Sequence, residues 1–263
     1  MGTTTPGSKA SERRTKHRSA ATGKKSGAAT LSKRVSALDW DRILAELDER
    51  GYGLTGALLQ PAECRNLVEA YEDEDRYRSR TIMARHNYGR GEYRYYSYPL
   101  PELVATLRET IYPRLAPLAN RWCEATGSDV RYPAKLSAFL KRCHQGGQPR
   151  PTPLILQYGA GDYNCLHQDL YGELLFPIQV AILLSSPGKD FDGGEFVLTE
   201  QRPRMQSRVR VVPLDQGEAV IFAVNQRPVP GKRGFYRVTQ RHGVSEVRSG
   251  HRHTLGIIFH DAK

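Results

Sequence analysis

Residues 158–169 read Tyr158-Gly-Ala-Gly-Asp-Tyr-Asn-Cys-Leu-His167-Gln-Asp169. A Gly- and Asp-punctuated turn runs into a short apolar stretch that ends on a histidine and an aspartate two places apart. In a β-strand, residues i and i+2 face the same way, so His167 and Asp169 are expected to grip one ion while Gln168 points elsewhere. Far downstream stand His242 and then Arg252-His253-Thr254. Two imidazoles and one carboxylate are the donor set that holds iron(II) on one face and leaves the opposite face open. Arg252 and Thr254 share a strand face and can bind a carboxylate through a charged fork and a hydroxyl. An H-x-D pair alone is weak, because structural uses of histidine in strands are common. The ordered set His167, Asp169, His242, with Arg-x-Thr after it, is far more specific. Zinc suits the same donors, but only a redox-active ion gives the carboxylate-binding pair a use.

Outward from this segment, the texture after Pro153 is short apolar runs broken by Gly, Pro and Asp. Strands are expected at Leu154–Tyr158, Leu166–Leu170, Ile178–Ser185, Glu195–Thr199, Val209–Val212, Ala219–Val224, Phe235–Arg241 and His253–His260. Eight short strands with turn signals between them indicate a sandwich or jelly roll. Upstream, helical spacing and Pro or Gly boundaries predict helices at Ser36–Glu49, Pro61–Tyr71, Pro101–Thr126 and Pro133–His144. Helices gathered before a run of strands fit an α+β fold, a β-dominated core backed by helices on one side. Residues 75–98 interleave arginines 76, 78, 80, 85, 90 and 94 with tyrosines 77, 88, 93, 95, 96 and 98, and read as strands or a hairpin. Gln179 interrupts the apolar run from Ile178 to Leu183; a lone polar side chain there faces either a cavity or a partner inside the core. Asn164 either caps a turn or touches a ligand.

The order H-x-D, distal His, Arg-x-Thr resembles the iron(II)/2-oxoglutarate-dependent dioxygenases. The Tyr nine residues before His167 and the run Leu-His167-Gln-Asp169 are similar to the metal strand of alkylation-repair nucleobase demethylases. From about Pro151 to Asp261 the chain resembles a bacterial oxygenase family described as demethylating damaged DNA oxidatively. The runs that carry it are Asp192-Gly-Gly-Glu-Phe-Val, Gln201-Arg-Pro-Arg-Met-Gln-Ser and Arg252-His-Thr-Leu-Gly-Ile-Ile-Phe-His-Asp. The resemblance implies a double-stranded β-helix (jelly roll, cupin-like), with His167, Asp169 and His242 as metal ligands. It implies 2-oxoglutarate as cosubstrate on Arg252, Thr254 and Tyr158, dioxygen as oxidant and ascorbate as a supporting reductant; the cavity-facing reading of Gln179 would put it beside substrate or cosubstrate. The implied reaction on an N-methyl base releases succinate, carbon dioxide and formaldehyde. Repair enzymes carry a further arginine six residues after the one matching Arg252, and here Ile258 stands there. That departure, with a His-to-Arg spacing closer to prolyl hydroxylases, makes hydroxylation of a protein side chain or small metabolite the alternative. A non-catalytic ligand-binding jelly roll is a third reading.

Charge is unevenly placed. Of 39 Lys and Arg, nine lie in residues 1–34 beside one acid, so this stretch carries +8 of the net +11. Residues 1–35, rich in Ser, Thr, Gly, Ala and Lys, are expected to be a disordered basic tail. Residues 36–263 are expected to form one domain, with helical support over 36–150 and a jelly-roll core over 151–263. Segment 75–98 and the tail would meet single-stranded or damaged DNA, arginines holding phosphates and tyrosines stacking on bases. A second basic group lies at arginines 202, 204, 208, 210, 233 and 237 with Lys232. No run is apolar enough for a membrane span or signal peptide, which makes the cytoplasm the expected location. The four cysteines include no C-x-x-C pair and are expected to be reduced and mostly buried. No obligate protein partner is evident.

Overall fold

One carboxylate and one left-handed glycine set the bounds of the first long helix. Asp39 caps a helix by accepting from the backbone N–H of Arg42, and Gly51, at φ 80°, ends it. The first long helix therefore starts at Trp40 and not at Ser36, because the Asp39 cap defines its first turn. The structure, a computed structural model, describes residues 1–2, 27–170 and 172–263. Residues 3–26 of the expected tail lie outside the described residues. Residues 27–36 form a helix (α1) instead of disordered chain. Leu31 and Val35, one turn apart, are buried in the main core, and Arg34 pairs with Glu63 at 2.6 Å.

The remaining elements follow in order: α2 (Trp40–Arg50), β1 (Tyr52–Ala57), α3 (Pro61–Glu69), β2 (Tyr77–Ile82), β3 (Gly89–Arg90), β4 (Glu92–Tyr96), α4 (Glu102–Ala125) and α5 (Leu136–Gln145). The β-rich part comprises β5 (Leu154–Tyr158), β6 (Tyr163–His167), β7 (Ile178–Leu183), β8 (Phe191–Gly193), β9 (Phe196–Gln201), β10 (Arg208–Val212), β11 (Glu218–Ala223), β12 (Gln226–Gly231), β13 (Gly234–Val244), β14 (Val247–Gly250) and β15 (Arg252–Ile257). Pro113 and Pro117 sit inside α4. Each costs about 3 kcal/mol in a helix interior. Burial of Val104, Leu107, Ile111, Leu115, Leu118 and Trp122 on that helix, about 1.5–3 kcal/mol per side chain, outweighs the cost.

A seven-stranded sheet runs β1-β11-β7-β15-β5-β4-β2, and a second sheet runs β10-β9-β13-β6-β3 with β12 on β13. Their strand pairs are antiparallel. This is a double-stranded β-helix with helices against the outer face of the larger sheet. The period of two shows how that sheet is buried on both sides. Ile178, Val180 and Ile182 of β7 join Leu255 and Ile257 of β15 in the core shared with α4 and α5. Ala181 and Leu183 join Tyr158, Leu198 and Phe222 in the core between the sheets. Arg252, Thr254 and Gly256, alternating with Leu255 and Ile257, face the second sheet.

One strand expectation shifts, and three strands were not foreseen. The strand foreseen at Leu166–Leu170 is β6, which ends at His167. Strands β8, β12 and β14 are short or Gly/Pro-bearing, and their composition carries no strand signal.

Candidate active site

β6 and β13 pair so that His167 and His242 stand opposite each other, with ring centroids 4.1 Å apart. Asp169 arrives from the irregular stretch after β6, so strand alternation does not place it. Its Oδ1 lies 3.4 Å from His167 Nε2 and its Oδ2 3.4 Å from His242 Nε2. One donor atom from each residue falls within 4.8 Å of the others. Neighbouring donors on an ion with bonds of 2.0–2.2 Å are about 3 Å apart, so little movement would close the set on a divalent metal. The second ring nitrogen of His167 sits 2.8 Å from the Cys165 carbonyl. A carbonyl only accepts, so Nδ1 carries the proton and Nε2 keeps its lone pair for the ion.

Charge at the site suits a cation. Burial would raise the Asp169 carboxyl, but hydrogen bonds from His167 and His242 hold it well below the usual range. Burial, then the neighbouring His167, pushes His242 down, which keeps it neutral. His167 is also pulled down by burial, but its contacts with Asp169 lift it overall. An ionised carboxylate and a neutral imidazole are the forms that ligate metal. Phe222 and Phe196 flank His242, with centroids at 4.7 and 6.1 Å, and shield it from water.

The triad opens into a cavity of about 330 Å³ between the sheets. Every residue expected at the site lines it: His167, Asp169, His242, Tyr158, Gln179, Arg252 and Thr254. Arg252 is 1% exposed and donates from Nη1 to Thr254 Oγ1 at 2.6 Å. Its Nε is buried without a partner, and it forms no ion pair among the described residues. Burial brings its pKa down to about 10, against the opposing pull of Tyr158 and Glu195, so it remains a cation near neutrality. A buried guanidinium without an anion is costly, and an incoming carboxylate would relieve it. Gln179 lines the cavity, and its Nε2 is likewise buried with no partner among the described residues. Tyr158 is fully buried and pairs in register with Arg252 across β5 and β15. His253, on the opposite face, packs edge-on against Tyr71 at 5.6 Å and takes no part.

The cavity is also lined by Met83, Asn87, Leu154 and Leu156, which the motifs did not single out, and by Tyr88 and Tyr93 of the Arg/Tyr-rich segment. The structure separates the other members of that segment. Arg94 is buried over Tyr71 at 4.2 Å, Arg80 pairs with Glu92 at 2.5 Å and Arg76 with Asp73 at 2.7 Å. Arg78 lies over Tyr95 at 4.5 Å and donates to the Pro151 carbonyl. Arg94 and Arg78 thus turn to partners in or against the fold, whereas Arg76 and Arg80 pair with carboxylates at the surface. Arg85 and Arg90 are exposed and form no ion pair among the described residues, and the exposed Tyr88 stacks on His86 at 5.4 Å. In the second basic group, Arg202 pairs with Glu200 and Arg237 donates to the Thr126 carbonyl; none of the group lines the cavity. Cys64 and Cys143 are buried, whereas Cys165 is exposed at the cavity wall. Among the described residues no helix is long and apolar enough to cross a membrane.

Comparison with known proteins places these residues in context. Residues 91–262 match a family described as "Oxygenase, catalysing oxidative methylation of damaged DNA". Two uncharacterized Mycobacterium tuberculosis proteins, one from each of two strains, are 48% identical over 164 residues, covering 62% of this chain and 70% of theirs. Among solved structures, a Pseudomonas putida prolyl-4-hydroxylase is 14% identical at TM-score 0.48, over 85% of this chain and 99% of that one. A Burkholderia pseudomallei oxidoreductase of the 2OG-Fe(II) oxygenase family is 18% identical at TM-score 0.48, over 85% and 92% of the two chains. Likenesses this distant add nothing to the sheet topology described above.

Proposed function

The chain belongs to the oxygenase family whose description names damaged DNA, and from that premise we propose that it is an iron(II)- and 2-oxoglutarate-dependent dioxygenase that demethylates alkylated nucleic-acid bases. The observation that carries the proposal is one cavity holding both a His-Asp-His donor set and a buried arginine with no counter-ion among the described residues. His167, Asp169 and His242 would hold the iron. Arg252, with the hydroxyls of Thr254 and Tyr158, would hold the far carboxylate of 2-oxoglutarate, and the Gln179 amide would donate beside it. Bound there, iron, 2-oxoglutarate and dioxygen supply oxygen-atom insertion into a substrate C–H bond, with succinate and carbon dioxide as coproducts and ascorbate keeping the metal reduced. On an N-methyl group the resulting hemiaminal loses formaldehyde. The chain's own part is placement, charge and dryness: Phe196, Phe222 and Leu156 wall the cavity, and Asp169 stays ionised.

Three features support a nucleic-acid substrate: the family description, the excess positive charge, and the unpaired Arg85 and Arg90 with the stacked His86–Tyr88 pair near the cavity. We assign residues 27–263 to one catalytic unit, since α1 packs into the same core, and the cytoplasm as its location. The alternative, oxidation of a protein side chain or small metabolite, is favoured by Ile258. It is buried with Tyr95 and Leu154 where repair enzymes carry a second arginine. Succinate formation with iron(II), ascorbate and 2-oxoglutarate separates the two. Stimulation by methylated single-stranded DNA with formaldehyde release supports demethylation; turnover indifferent to DNA supports the alternative.

A further inference from the structure

The geometry points to Asn164 as a positioning residue, whose amide turns the Tyr158 hydroxyl into a hydrogen-bond donor aimed at the carboxylate held by Arg252. The inference rests on the 2-oxoglutarate reading above. Nδ2 of Asn164 lies 3.2 Å from the Tyr158 hydroxyl oxygen. An amide N–H only donates, so the hydroxyl oxygen accepts and its own proton remains to be given elsewhere. Tyr158 is wholly buried, and the cavity it lines with Arg252 and Thr254 is the space that can receive that proton. Thr254 is in the same condition: its oxygen accepts from Arg252, so its proton is also free. The end of the cavity at Arg252 thus presents a guanidinium and two hydroxyl donors, the complement of an acceptor-only carboxylate.

Both partners are held in place. Gly91, at φ +108°, lets the backbone lie against the Tyr158 ring; a Cβ there would come within 2.8 Å of Cδ1. Asn164 pairs with Gly89 on one side of β6 and with Val244 on the other. A Cβ on the neighbouring Gly243 would meet the Asn164 carbonyl at 2.7 Å. The strand that carries His167 to the metal therefore also carries, three residues earlier, the group that sets the polarity of the diacid end.

The test is binding, not turnover. Protein loaded with manganese(II) is titrated by calorimetry with 2-oxoglutarate and with pyruvate, which has the same keto acid but no far carboxylate. Asn164→Leu is expected to weaken 2-oxoglutarate binding about tenfold, as loss of one hydrogen bond to a charged group does, and to leave pyruvate binding unchanged. In the Tyr158→Phe background the same substitution should cost nothing further, because its route through the hydroxyl is gone. Unchanged 2-oxoglutarate affinity in Asn164→Leu, an equal loss for pyruvate, or a full loss persisting with Tyr158→Phe would each overturn the role. If Asn164→Leu fails to fold, Asn164→Ser, too short to reach the hydroxyl, reads the same comparison. Failure of the unaltered protein to bind 2-oxoglutarate sinks the cosubstrate reading itself, a result distinct from all of these.

Discussion

His167 and His242 face each other in register across β6 and β13, their rings 4.1 Å apart, although most of the β-rich region separates them in the chain. Cross-strand pairing therefore brings two of the three donors together, and the turn after β6 delivers Asp169.

His167→Ala or Asp169→Ala should abolish iron-dependent succinate formation and lower iron(II) affinity by about 100-fold or more, with thermal melting of the metal-free protein changed little. Succinate at the unaltered rate in either variant would remove the triad from the reaction. A chelator should reproduce the loss, and added iron(II) should reverse it.

Arg252→Met should separate two effects. The 2-oxoglutarate requirement should rise by about 100-fold or more, because a charge-assisted fork is removed, while iron(II) binding stays the same. The ligand-free protein should melt at the same or a higher temperature, since a buried cation lacking an anion is replaced by an apolar chain of similar length. A large drop in melting temperature would mean that Arg252 has a structural partner.

Arg85→Ala combined with Arg90→Ala should weaken single-stranded DNA binding and flatten its salt dependence by about 0.7 in log–log slope for each phosphate that is no longer neutralised. Arg76→Ala, whose guanidinium is already paired with Asp73, should leave the slope unchanged. Equal effects from the two would return the whole 75–98 segment to the interface.

Acid should destabilise the fold through two buried imidazoles. His253 and His260 are pushed down to about 4, chiefly by burial. Below about 6.5 the unfolded chain takes up protons that the folded protein refuses, so stability falls with pH until about 4 and then levels. Each residue accounts for up to about 3 kcal/mol over that window. His260 Nδ1 accepts from the Phe176 N–H at 3.1 Å, so His260→Asn, which keeps an acceptor there, should shrink the drop in melting temperature between pH 6.5 and 4. An unaltered drop would place the acid sensitivity elsewhere.

The parts of this protein legible in sequence were those written in local pattern. Apolar runs bounded by turn residues marked strands of the larger sheet, as in β5 and β7, because a strand buried on both faces leaves a near-continuous apolar run. Gln179 stood out for the same reason. Short strands such as β8 and β14 carry too few residues for any period to show. Asn164 was ambiguous because a turn cap and a cavity wall ask for the same amide.

By itself, the sequence determined the donor types, their order along the chain, the helical and β-rich halves and the excess of positive charge, since composition and periodicity follow from neighbours along the chain. Tertiary structure decided which donors meet. Strand register set His242 against His167 and Arg252 against Tyr158, burial left Arg252 without an anion among the described residues, and folding gave four of six arginines in segment 75–98 a partner within the protein. A side chain's partner depends on cross-strand register and on what burial excludes, and neither is a property of the residues beside it in sequence.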